Sequence, residues 1–103
     1  MPERDWKHLR ERSRVCLARY YQRVLQEISQ VIATSQETPH AGCLAIYELI
    51  HDRDRDLADT FNGLRRSTAL VQLASMLRHQ LATPAERNRI SEETQHPLLA
   101  FNL

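Results

Sequence analysis

Apolar positions along the first third of the chain recur at spacings of three and four. Trp6, Leu9, Leu17, Tyr20, Tyr21, Val24, Ile28 and Val31 make one stripe, and Leu25 and Ile32 widen it. That period predicts a long helix over about residues 3–34. Thr38-Pro39 then supplies a helix start, Thr at the cap and Pro in the first turn. A second helix over about 39–61 carries Cys43, Ile50, Leu57 and Leu64 seven residues apart, with Ile46, Tyr47, Ala58 and Phe61 beside them. Asn62-Gly63 ends it.

The third segment, about 66–82, is the most apolar, with only Thr68, Gln72, Ser75 and His79 as a narrow polar strip. A helix so apolar all round belongs at the centre of a bundle. Thr83-Pro84-Ala85-Glu86 fits a capping box and predicts a short helix over about 84–90. Ser91-Glu92-Glu93-Thr94 predicts another over about 92–95, stopped by Pro97. The tail Leu98–Leu103 is too apolar to stay in water and must dock. The predicted fold is an all-α antiparallel bundle of three main helices, one or two short C-terminal helices and the tail, in a single domain spanning 1–103.

One polar run disturbs this pattern. His51-Asp52-Arg53-Asp54-Arg55-Asp56 interrupts the second helix, yet the seven-residue spacing continues through it. On a helical projection His51, Asp52 and Arg55 turn outward, while Asp54 falls in the middle of the apolar stripe and Arg53 at its edge. A carboxylate there needs a partner, because an unpaired buried charge costs several kcal/mol. Antiparallel packing puts Asp54 near Ala18, with Arg14 and the Tyr21 hydroxyl in reach and Arg66 approaching from the hairpin end. The sequence therefore predicts a buried polar cluster of Asp54, Tyr21, Arg14 and Arg66. It is read first as a device that fixes helix register, and second as a ligand site.

Composition agrees with the helical pattern. The 103 residues include two glycines and four prolines, too few turns for a sandwich or barrel. The formal charge is +1, but its distribution is uneven. Residues 1–30 hold seven Lys/Arg against four Asp/Glu, residues 31–64 two against six, and residues 65–103 five against three. The acidic middle and basic ends suit pairing within the bundle or between copies of it. The charged N-terminus argues against a signal peptide, and no apolar run approaches the ~18–20 residues of a membrane span. Cys16 and Cys43 are too few for a disulfide framework. A reducing cytoplasm, without membrane attachment, is the expected setting.

Site chemistry finds little support. Asp52-x-Asp54-x-Asp56 opens like a calcium loop, but Leu57 stands where that loop needs Gly, and Gly63 where it needs Glu. Glu-x-x-His occurs at Glu37/His40, Glu48/His51 and Glu93/His96, but only the middle pair lies inside a helix, facing outward. With two glycines there is no phosphate loop. The expectations are no catalysis, no metal and no cofactor.

Two functions remain. The first is an interaction or regulatory protein, self-associating as a homodimer or binding another protein. Its contact surface would be the Trp6–Leu9 end of helix 1 with Leu98, Leu99 and Phe101 of the tail. A competing reading folds the short helices back over that end. The second is nucleic-acid binding, with Arg12, Arg19 and Arg23 tracking phosphates from a solvent-facing side of helix 1.

Overall fold

The computed structural model describes all 103 residues, Met1–Leu103. Helix α1 spans Glu3–Thr34, α2 Pro39–Phe61, α3 Ala69–Arg78, α4 Pro84–Asn88 and α5 Glu92–Leu98, followed by a 3-10 turn over Leu99–Phe101. The fold is an all-α bundle: α2 returns antiparallel along α1, and α3 rises again beside both. No helix is long and apolar enough to cross a membrane.

Unequal helix lengths set the shape. At about 1.5 Å per residue, α1 is roughly 48 Å long and α3 roughly 15 Å. The chain therefore measures 53 × 25 × 24 Å, with a radius of gyration of 16.4 Å against about 13 Å for an ordinary 100-residue domain. The lower half, here the foot, holds the core. Trp6, Leu9, Cys16 and Tyr20 of α1 pack with Leu73, Met76 and Leu77 of α3 and with Leu81, Ile90 and Leu98. The upper half, residues 21–53, is an arm of two helices alone.

Polar side chains close the turns of the foot. Gly63 takes φ +63° where α2 gives way to α3, a conformation open to glycine. The buried Gln72 amide donates to the carbonyls of Thr60 and Asn62, satisfying the end of α2. The Thr60 and Ser75 hydroxyls are 2.7 Å apart. Helix α3 begins later and ends earlier than its apolar pattern predicts. Gln80, at φ +56°, reverses the chain, with Leu81 N–H donating to Met76 and Gln80 N–H to Leu77, a Schellman end. The capping box at Thr83 and Glu86 forms as predicted. Pro97, predicted to stop the last helix, lies inside α5 instead.

Candidate interaction surface

Two carboxylates tie the C-terminal segment to α1. Asp5 is buried; its Oδ1 accepts the Ser91 backbone N–H at 3.2 Å, and its Oδ2 accepts the Ser91 and Thr94 hydroxyls. It thus caps α5 from another helix. Burial pushes the Asp5 carboxyl up, but the hydrogen bonds from Ser91 and Thr94 outweigh it and the net shift is downward. Glu86 is the second tie. Arg19 donates to its Oε1 at 2.6 Å, Arg12 lies 3.4 Å from Oε2, and the Thr83 N–H donates to Oε1 at 2.8 Å. The Arg19 hydrogen bond, helped by Thr83, holds the Glu86 carboxyl at about 2 despite its burial.

These ties correct two expectations. The arginine face of α1 is engaged within the fold rather than free to track phosphates. Arg12 and Arg19 hold Glu86, and Arg19 also donates to the Leu81 carbonyl at 2.7 Å. Arg23 donates to the carbonyls of His79 and Gln80, a cation at the negative end of α3. The three arginines clamp the end of α3 and the start of α4. The surface expected at Trp6, Leu9, Leu98, Leu99 and Phe101 is also mostly filled. Trp6, Leu9 and Leu98 are core residues, Phe101 packs against them half-buried, and only Leu99 stands out at 73% exposed. The short helices fold back over the N-terminal end of α1 because Asp5 and Glu86 hold them there.

The predicted cluster of Asp54, Tyr21, Arg14 and Arg66 does not form. Asp54, Arg14 and Tyr21 are exposed, and Arg66 sits at the foot, beside Glu3 at 2.7 Å and over the Trp6 ring at 5.7 Å. Helix α2 is rotated from the expected setting, so Arg53 rather than Asp54 faces α1. Arg53 makes a two-pronged pair with Glu27 at 2.8 and 3.1 Å, and its carbonyl accepts the Tyr20 hydroxyl at 2.8 Å. Arg53 can reach a carboxylate on α1 along its long stem; the short Asp54 cannot. At the arm tip Gly42 is buried close against Ser35 and sets that rotation.

The rotation leaves apolar side chains uncovered. Tyr21 is 51% exposed, Leu25 65%, Ile32 56%, Leu44 52%, Tyr47 71% and Ile50 48%. At 100° per residue, Tyr21, Leu25, Ile28 and Ile32 share a sector of α1 about 60° wide, and Cys43, Tyr47, Ile50 and Asp54 a similar sector of α2. Both turn away from α3, which packs where Tyr20 meets His79 and Thr60 meets Ser75. Hydrogen bonds from residues beyond 62 to α1 reach no higher than Arg23. The sequence held a signal for this surface in the mismatch between a 32-residue helix and a third apolar segment half as long.

Reactive groups offer no comparable arrangement. Burial raises the Cys16 thiol, which donates to the Leu81 carbonyl at 3.5 Å. No three His, Cys, Asp or Glu side chains gather as a metal site would require. A cavity of about 30 Å³ between Leu9, Cys16, Met76 and Ile90 is the size of a water molecule or two, not of a metabolite. The chain matches no family model, no curated protein and no solved structure.

Proposed function

We propose that this chain is a non-catalytic interaction protein of a reducing cytoplasm, whose projecting two-helix arm is its contact element. The observation that carries the reading is the row of five large apolar side chains on one side of that arm, Tyr21, Leu25, Ile32, Tyr47 and Ile50, 48–71% exposed. At roughly 200 Å² for a fully exposed large side chain, they hold on the order of 600 Å² of accessible surface. That is the upper end of the about 300–600 Å² range for a monomer's largest apolar patch, a size that often marks a contact site. Two tyrosines in the row fit the residue preference of contact surfaces.

Nucleic-acid binding keeps one observation in its favour. Lys7, Arg10 and Arg14 are exposed one turn apart on α1. With Glu11 among them they meet only two or three phosphates, and the arm beyond them carries mostly acidic charge.

A photo-crosslinking residue at position 47, in cells of the native host, separates the two readings. The contact reading expects discrete protein adducts, to itself or to another chain, that disappear in the Leu25→Glu background. No adducts, together with DNA retention that collapses with salt and is lost in a Lys7→Ala, Arg10→Ala, Arg14→Ala triple variant, would overturn it.

A further inference from the structure

The arm's apolar face has a charged continuation that bears on what covers it. The sector of α1 that carries Tyr21, Leu25 and Ile32 carries Lys7, Arg10 and Arg14 lower down, all exposed. One strip of α1 is thus basic along the foot and apolar along the arm. The arm's other helix and its tip are acidic instead, with Glu37, Glu48, Asp52 and Asp54 exposed. The molecule has a basic foot, an acidic arm and an apolar patch between.

From these observations we propose that the arm's face is covered by a second copy of this chain, lying antiparallel, so that two arms form a four-helix bundle with the feet at opposite ends. The proposal rests on the arm being the contact element. The exposed apolar area, on the order of 600 Å², makes up most of the roughly 800 Å² that each partner of a stable pair contributes. A face-to-face pair of identical surfaces closes on itself by a two-fold axis. That axis runs either along the helices or across them. Along them, the feet lie side by side and both Lys7–Arg10–Arg14 strips crowd into one end of the pair, away from the acidic arm tips, a like-charge arrangement that is disfavoured. Across them, the strips part, and each faces the acidic tip of the other arm.

Helix geometry gives the register. A two-fold axis midway between Tyr21 and Ile32 lies about 12 residues above Arg14, and the arm tip about 10 residues above the axis. The axis therefore brings Arg14 of one copy to the level of Glu37 in the other. Tyr21 and Leu25 of one α1 pass along Ile32 and Ile28 of the other, apolar against apolar throughout.

Cys43 makes this testable in the native sequence, since it is exposed on the arm's face while Cys16 is buried. It lies about seven residues above the axis, so the antiparallel pair separates the two Cys43 positions by roughly 20 Å along the bundle. The parallel pair would put them at one level, roughly 10 Å apart across the bundle. Sedimentation equilibrium of the full chain, with spin-label distances at Cys43, decides. The expected result is a dimer at micromolar concentration with inter-copy distances above 20 Å, and a Leu25→Glu, Tyr47→Glu variant that is monomeric with unchanged helical signal. Distances near 10 Å, or a Cys43–Cys43 disulfide dimer on mild oxidation, would overturn the antiparallel arrangement. A monomer up to sub-millimolar concentration would overturn pairing altogether. Adducts at position 47 to a different protein would then still uphold the arm as the contact element.

Discussion

The Arg19 guanidinium and the Glu86 carboxylate meet at 2.6 Å and join the middle of α1 to the first turn of α4. Their pairing makes stability depend on pH in a definite direction. Glu86 sits at about 2 in the folded chain against 4.5 for the free group. A depressed carboxyl contributes stability that is fully present above pH 4.5 and is lost as the pH falls toward 2. The predicted loss is about 1–2 kcal/mol once solvent screening is allowed for. Denaturant melts at pH 6 and pH 3 check it: Glu86→Gln should be less stable than the parent at pH 6, and the gap should narrow at pH 3. A gap that stays constant would mean that Glu86 does not carry this dependence.

Asp5 performs the corresponding task for α5. Its carboxylate is buried and accepts three hydrogen bonds from Ser91 and Thr94. Asp5→Ala strands those donors, a change that costs about 2–4 kcal/mol. The damage should concentrate where the donors are. Hydrogen exchange is predicted to accelerate across residues 91–101 by more than in α2, and Trp6 fluorescence should shift red as Leu98 and Ile90 loosen. Uniform acceleration over the whole chain would contradict a local tie.

The element pattern was legible along the chain. The period of three and four, Thr38-Pro39 and the Thr83–Glu86 box mark α1, α2 and α4 because each is a local signal. The ends of α3 were not legible, since Gln80 in the left-handed region has no glycine to announce it. The rotation of α2 was less legible still. Its apolar stripe is wide enough to admit either Arg53 or Asp54 on the inner row, and only the Glu27 partner and the Gly42–Ser35 approach decide between them. Arg12, Arg19 and Arg23 lie on the face opposite the apolar stripe, as expected; what could not be read was that carbonyls and Glu86 from 60 residues away would cover them. For the same reason the free apolar surface lies on the arm rather than at Trp6.

Arg53 and Asp54, adjacent in sequence, should respond differently to truncation. Asp54 is exposed, so Asp54→Ala is predicted to change stability by less than about 0.5 kcal/mol. Arg53 holds Glu27 through two nitrogens, and that hydrogen bond lowers the Glu27 carboxyl. Both partners remain more than a third exposed, so Arg53→Ala should cost only about 0.5–1 kcal/mol. Thermal melts of the two variants test the order. A larger loss for Asp54→Ala would restore the buried-carboxylate reading of α2.

Gly42 gives the sharpest reversal of a general rule. In an exposed helix interior, Gly→Ala adds up to about 1 kcal/mol of stability, because alanine loses less backbone entropy on folding. Gly42 lies in the first turn of α2, and a Cβ there would stand 2.4 Å from Ser35 Cβ and 2.8 Å from its hydroxyl oxygen. The hydroxyl can rotate away; Ser35 Cβ, fixed to the backbone, cannot. Either the turn over residues 35–38 must open or α2 must slide along α1, and a slide would disturb the Glu27–Arg53 pair, about three turns below on α2. Gly42→Ala is therefore predicted to destabilise by about 1–3 kcal/mol. The double change Ser35→Gly, Gly42→Ala, which removes the clashing atom, should recover most of that loss. Chemical denaturation of the parent, the single variant and the double variant measures both steps. A Gly42→Ala chain as stable as the parent would show that the arm tip yields freely, and with it that Gly42 does not set the rotation of α2.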